Sequence, residues 1–239
     1  MGGAGATPLI YRRCVGAGDL VCERVKIEES DLLVCAPRVD RAKVEDLLMG
    51  VREELKAYIR RNPAFARSFV PVDVGEDAPL VVRLMAYSAA RAGVGPMAAV
   101  AGAIAQVVGE ALGDEVIVEN GGDVYIKSRR ERVVTVYAGD SPFSMRVGIR
   151  LGSGVWGVAT SSGTLGHSFS RGRADAAVVV ARCSAVADAF ATALGNRISR
   201  PEDMEAALDW VLSFGEVVGA LAVVGDRLGA CGDIELVRL

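Results

Sequence analysis

Between Tyr11 and Ala36 hydrophobic and polar positions alternate, first in YRRCV, then in LVCERVKIE and DLLVCA, with turns at Gly16-Ala17-Gly18-Asp19 and before Asp31. Period two places successive side chains on opposite faces, so the segment predicts paired strands. The period then changes. Val44, Leu47, Leu48, Val51, Leu55, Tyr58 and Ile59 recur three and four residues apart, which predicts a helix over Arg41–Arg61, stopped by Pro63. A second amphipathic helix is expected over Leu80–Ala92, ended by Gly93. Pro96–Leu112 is different. Its side chains are small almost all round, with a proline at the start and Gly113 at the end. Such a helix can be buried and can approach a sheet or a ligand closely.

Downstream, VIVE-NG-GDVYI predicts two strands joined by a tight turn, and RVVTVYA is expected to continue the same sheet. MRVGIRL and VWGVATS read as further strands, followed by the Gly/Ser-rich loop SSGTLGHSFSRGRAD and the apolar strand Ala176–Ala181. Helices are expected over Ser184–Leu194, with Ser184 as its N-cap, and over Glu202–Phe214. The chain closes with strands in VVGALAVVG and DIELVRL. Strands outnumber helices and are mostly joined by short turns, so the fold class is α+β with largely antiparallel sheets rather than doubly wound.

The 239 residues suit one domain, or two closely packed halves sharing a core. A net charge of −3 without a basic excess argues against nucleic acid as a partner. The locally basic run Lys127–Arg132 reads as a solvated loop. No charged n-region precedes an apolar h-region, and no apolar run reaches the ~18 residues of a spanning helix, so the expectation is a cytoplasmic protein without membrane contact. Five widely spaced cysteines, no CxxC and a single histidine argue against zinc and for buried thiols.

Three constellations could carry chemistry. Asp188 and Thr192, four residues apart, lie on one face of an otherwise apolar helix. A buried carboxylate needs a cation or donors. This pair of hard oxygens suits Mg²⁺, or Asp188 simply bonds to Thr192 or to a loop. Asn120-Gly121-Gly122-Asp123 is a hairpin turn signal. The same glycines would let a flat or phosphorylated ligand approach the backbone, with Asp123 accepting a hydrogen bond. Thr160, Ser161 and Ser162 open a loop whose amides could face a phosphate, and His167 within it could serve as a general base or be merely structural.

Taken in order, Val94-Gly-Pro-Met-Ala-Ala-Val-Ala-Gly-Ala-Ile-Ala105, Glu119-Asn-Gly-Gly-Asp123, Ala159-Thr-Ser-Ser-Gly-Thr-Leu-Gly-His-Ser168 and Ala187-Asp-Ala-Phe-Ala-Thr-Ala-Leu-Gly-Asn196 resemble a short, uncharacterised ApbE-like family. Through shorter motifs they resemble the ApbE enzymes themselves, FAD:protein FMN transferases that use Mg²⁺ to move FMN from FAD to a Ser/Thr hydroxyl of an acceptor protein, releasing AMP. The resemblance implies one ApbE-like domain over residues 1–239, with two related halves around a cleft. It implies Asp188, Thr192 and the carbonyl of Ala105 as metal ligands. Glu119, Asn120, Gly121, Gly122 and Asp123, with Thr160, Ser161 and Ser162, would line a flavin or nucleotide pocket, and His167 would sit near the reacting phosphate as the catalytic residue. Two departures stand out. Gln106-Val107-Val108 replaces the enzymes' Lys-Gly-Tyr, and Ser168-Phe-Ser-Arg-Gly172 replaces their Asp-Pro-x-Thr-Gly, leaving Arg171 or Arg173 as substitute cations. Two functions remain open: Mg²⁺-dependent FMN transfer or related FAD pyrophosphate chemistry, and non-catalytic binding of a flavin or other phosphorylated small molecule. The many strand edges make a homodimer an expectation as well.

Overall fold

The computed structural model describes residues 16–163 and 172–239. Alternation produces the hairpin of β1 (Val21–Ile27) and β2 (Ser30–Ala36), whose turn places Glu28 at φ 51°. The predicted amphipathic helix is α1 (Arg41–Arg61); the Asp40 carboxylate caps it by accepting from the Lys43 N–H at 3.2 Å. A short α2 (Pro63–Arg67) follows, then α3 (Leu80–Ala92), which ends at Gly93 in the left-handed conformation, φ 71°. The small-residue helix starts as a 3-10 turn over Pro96–Ala99 and continues as α4 (Val100–Leu112).

The remaining elements are β3 (Val116–Asn120), β4 (Asp123–Ser128), β5 (Arg132–Thr135), β6 (Val147–Leu151), β7 (Gly154–Ser161), β8 (Ala176–Ala181), α5 (Ser184–Gly195), α6 (Met204–Leu212), β9 (Val217–Val224), β10 (Arg227–Gly232) and β11 (Glu235–Arg238). Eight strands form one sheet in the order β1-β2-β3-β4-β7-β8-β9-β10, every neighbouring pair antiparallel. The order repeats a plan. Hairpin, helices and hairpin run from β1 to β4, then again from β7 to β10, and the halves join along β4–β7. Together these features make an α+β architecture of antiparallel sheet and packed helices.

The helices cover one face of the large sheet, and a three-stranded sheet of β11, β6 and β5 covers the other. Central strands are therefore apolar on both sides. In β8, Ala177, Val179 and Ala181 face the helices, while Ala176, Val178 and Val180 face the small sheet.

Several expectations are corrected. RVVTVYA does not continue the large sheet, because β5 pairs with β6 in the small one. RLGACG forms β10, a strand that its weak alternation hides. The run 127–132 is a solvated turn only at Arg129, Arg130 and Glu131; its two ends lie in strands. Lys127 belongs to β4 and pairs with Asp114, and Arg132 opens β5 at 4 % exposure. Its guanidinium is held by Asp19, by Glu115 at 2.8 Å and by the Gly16 carbonyl, so local sequence basicity is offset by acids distant in sequence. Cys22 and Cys35 are not thiols either. They face each other in the β1–β2 register and form a disulfide, whereas Cys183 and Cys231 are half-buried thiols. Cys14 and the segment YRRCV lie outside the described residues. Among the described residues no single helix is long and apolar enough to cross a membrane. The one apolar pair, α3 with Pro96–Leu112, is bent by 105° and contributes Met85, Ala89, Ala103 and Ala105 to the core.

Candidate functional site

The site lies where the two halves meet, at the start of α4. Small residues let three backbones touch there. A Cβ on Gly102 of α4 would sit 2.8 Å from the Asp188 Cβ and clash harder still with the Ser184 carbonyl. A Cβ on Gly157 of β7 would lie 2.6 Å from the Ser184 nitrogen, and one on Gly109 would run into the Tyr125 ring. Glycine is required at each point by close approach, and the result is α4 and α5 locked together against β4 and β7.

This approach decides what Asp188 does. Its carboxylate accepts the Gly102 N–H at 2.9 Å, with a further bond from the Ala101 N–H. Those amides are unpaired donors of the first turn of α4, where the helix dipole also favours negative charge. Asp188 therefore caps α4 from another helix. Ser184 does not cap α5 as expected; its hydroxyl instead donates to the Gly102 carbonyl at 2.6 Å. The cap of α5 comes from α4: the Gln106 Oε1 accepts the Ser184 N–H at 3.0 Å and the Cys183 thiol at 3.1 Å.

The β3–β4 turn closes the site. Gly121 and Gly122 take φ values of 68° and 107°, and Asn120 and Asp123 pair across the turn, so the segment is the hairpin its sequence signals. The turn is also anchored to the helices. The Asn120 Nδ2 donates to the Ala101 carbonyl at 3.1 Å, and the Gly122 N–H donates to the Glu119 carboxylate at 2.8 Å. Asp123, buried, accepts the Thr160 N–H.

Electrostatics set this corner apart. Burial, reinforced by the negative charges of Asp188 and Glu119, pushes the Asp123 carboxyl well above the usual range. Burial pushes Asp188 up to about 7, against the opposing pull of the Gly102 and Ala101 amides. No cationic side chain among the described residues acts on either group. Nor do three His, Cys, Asp or Glu side chains among them converge as a metal set. A cation here would be completed by hydroxyl, carbonyl, water or ligand oxygens, a hard donor set of the kind Mg²⁺ takes. On chemistry, the residues fit Mg²⁺.

Of the other expected residues, Thr192 lies one turn beyond Asp188 on α5, half-buried, and Ala105 lies in mid-α4, fully buried. Thr160 and Ser161 end β7, and Ser161 and Ser162 are buried beside Asp123's strand. The Gly163 N–H donates to the Ala174 carbonyl at 2.9 Å and the Arg173 N–H to the Ile198 carbonyl at 2.8 Å, so the chain leaves and re-enters the described region beside the end of α5. His167 and Arg171 lie outside the described residues. Sequence reasoning missed Gln106 as a structural group; its only signal is its spacing of four from Glu110, the two being the long polar side chains of an otherwise small and apolar helix. A surface hollow of about 590 Å³ beside Tyr137, Asp140, Ser144 and Arg146 shares no residue with this site.

A family model described as AbpE bacteria matches residues 12–209. The UPF0280 protein of Methanocaldococcus jannaschii is 42% identical over 230 residues, covering 90% of this chain and 93% of that protein. The UPF0280 protein of Methanopyrus kandleri is 44% identical over 219 residues, covering 87% and 89%. The chain belongs to this ApbE-like UPF0280 family. Among solved structures, the flavin transferase ApbE from Vibrio cholerae matches with a TM-score of 0.53 at 14% identity, over 89% of this chain and 96% of that one. The flavinyl transferase ApbE of Pseudomonas stutzeri matches at 0.54 and 16%, over 89% and 93%. At these identities the likeness is one of fold.

Proposed function

We propose that the chain binds FAD, or a related flavin nucleotide, with Mg²⁺ at the α4–α5 junction and cleaves its pyrophosphate, passing FMN to a hydroxyl of an acceptor protein. One observation carries this reading: two acids, Asp123 and Asp188, are buried close together, burial raises the proton affinity of both, the charge of Asp188 raises that of Asp123 further, and no described cation offsets them. Backbone amides hold each acid, yet two buried like charges side by side remain costly to the fold. A divalent cation removes the cost.

Asp188, Thr192 and the Ala105 carbonyl would hold Mg²⁺, with Asp123 beside them. When bound, the cation supplies charge that stabilises the leaving phosphate. The remaining work falls to the chain. Gly121 and Gly122 leave room for the flat ligand at the turn that Glu119 and Asn120 brace. Thr160, Ser161 and Ser162 offer hydroxyls to phosphate oxygens. The acceptor's hydroxyl oxygen attacks the phosphorus of the FMN half, the bond to AMP breaks, and His167 takes the hydroxyl proton.

A second reading, ligand binding without turnover, is favoured by Gln106. Both ends of its amide are engaged within the protein, so the position where ApbE enzymes carry lysine brings no charge to a pyrophosphate. Incubating the pure protein with FAD and Mg²⁺ separates the two. AMP release that Asp188→Asn or chelation abolishes is the expected result. Mg²⁺-dependent FAD binding without AMP favours the second reading, and no binding of FAD with or without Mg²⁺ overturns both.

A further inference from the structure

We infer that Gln106 is a positioning residue for Asp188, acting through the start of α5; this rests on the cation-binding reading above. Two helices cap each other here. Asp188 of α5 accepts the first amides of α4, Ala101 and Gly102, and Gln106 of α4 accepts the first amide of α5, Ser184, at 3.0 Å, with Ala185 at 3.5 Å. Between these caps the Ser184 hydroxyl donates to the Gly102 carbonyl. Together these bonds form a closed latch. Each helix start is fixed relative to the other by a side chain from inside its partner, Asp188 one turn into α5 and Gln106 nearly two turns into α4.

Gln106 is held on its far side too, its Nε2 donating to the Glu110 carboxylate at 2.9 Å. At 9 % exposure it has little freedom to turn toward a ligand. An amide with donor and acceptor both engaged is pre-aimed, and it fixes Ser184 one helical turn before Asp188. Removing its oxygen frees the start of α5. Asp188 then loses its register with the α4 amides, and its carboxylate no longer points consistently at a cation.

Mn²⁺ affinity, read by electron paramagnetic resonance on the intact chain, provides the test, together with hydrogen exchange at the Ser184 and Ala185 amides. Gln106→Leu keeps the volume and removes the acceptor. Gln106→Asn keeps the amide but withdraws it by one carbon, and serves if the leucine variant fails to fold. Either is expected to weaken Mn²⁺ binding about tenfold, the equilibrium equivalent of one lost cap, and to speed exchange at both amides. Exchanging the pair, Gln106→Glu with Glu110→Gln, keeps an acceptor for α5 and a donor beside it. It is expected to restore affinity, which a general loss of packing would not allow. Wild-type affinity in Gln106→Leu or Gln106→Asn would overturn the positioning role. Absence of Mn²⁺ binding in the wild-type protein would instead overturn the cation-binding reading itself, and the role with it.

Discussion

Two corners of this molecule are built on opposite plans. At the α4–α5 junction backbones are in contact, and polar groups are satisfied by short reaches: Asp188 to Gly102, Ser184 to Gly102, Asn120 to Ala101. At the outer corner, where α1 meets the β1–β2 hairpin, long side chains span the gaps. Arg52, 8 % exposed, reaches Glu28, Glu29 and the Ser30 hydroxyl; Lys56 reaches Glu28; Arg24 meets Asp31 at 2.8 Å. A disulfide ties Cys22 to Cys35 beside them. The first plan fixes positions closely and tolerates no added atom. The second tolerates replacement, because each contact has slack and neighbours. That difference suits a binding site at the junction and a clamp at the periphery.

The comparison fails if the two corners respond alike. Gly102→Ala should have the largest effect. The new Cβ has nowhere to go except between Ser184 and Asp188, so stability should fall by more than about 3 kcal/mol in urea denaturation, and cation binding should disappear. Reducing the disulfide, or replacing Cys22 and Cys35 together by serine, comes next. The cross-link closes a loop of sequence separation 13, so its loss should cost about 3 kcal/mol while leaving Mn²⁺ affinity unchanged. Intact mass before and after reduction tests the bond itself.

A subtler contrast is in pH. The Asp188 carboxyl is raised to about 7, so below that pH the folded protein holds a proton that the unfolded chain has already released. Without a cation, stability should therefore fall as pH rises from the ordinary carboxyl range toward 7, then level off. Mn²⁺ must displace that proton, so its affinity should climb between about pH 6 and 8. Asp188→Asn should make both curves shallower, leaving the contribution of buried Asp123, and leave the cation-free protein at least as stable at the upper end. Smallest of all, Arg24→Ala removes an exposed pair at the outer corner and should change stability by no more than experimental error.

Sequence makes the junction legible and the periphery obscure, for a physical reason. Backbone contact leaves runs of small residues and glycines at fixed places, so the close-packing helix around Gly102 and the turn at Gly121 are readable from the residues alone. Helices α1 and α3 are equally plain from their periodicity. Contacts made by long or distant partners leave no such trace. Nothing near Arg132 announces Asp19 or Glu115, and nothing around Cys22 or Cys35 announces their register. Alternation puts β5 in the wrong sheet because it reports burial and not which neighbour provides it. Gln106 reads in the sequence as a lost charge. Its work as a cap depends on an approach between α4 and α5 that only the folded chain provides.

Diffraction from crystals grown with Mn²⁺ and FAD, recorded at the manganese absorption edge, tests the central claim most directly. An anomalous peak bonded to the Asp188 carboxylate, with the FAD pyrophosphate beside it near the Gly121–Gly122 turn, is the predicted result. FAD bound elsewhere, or density at the turn with no manganese at Asp188, would contradict it.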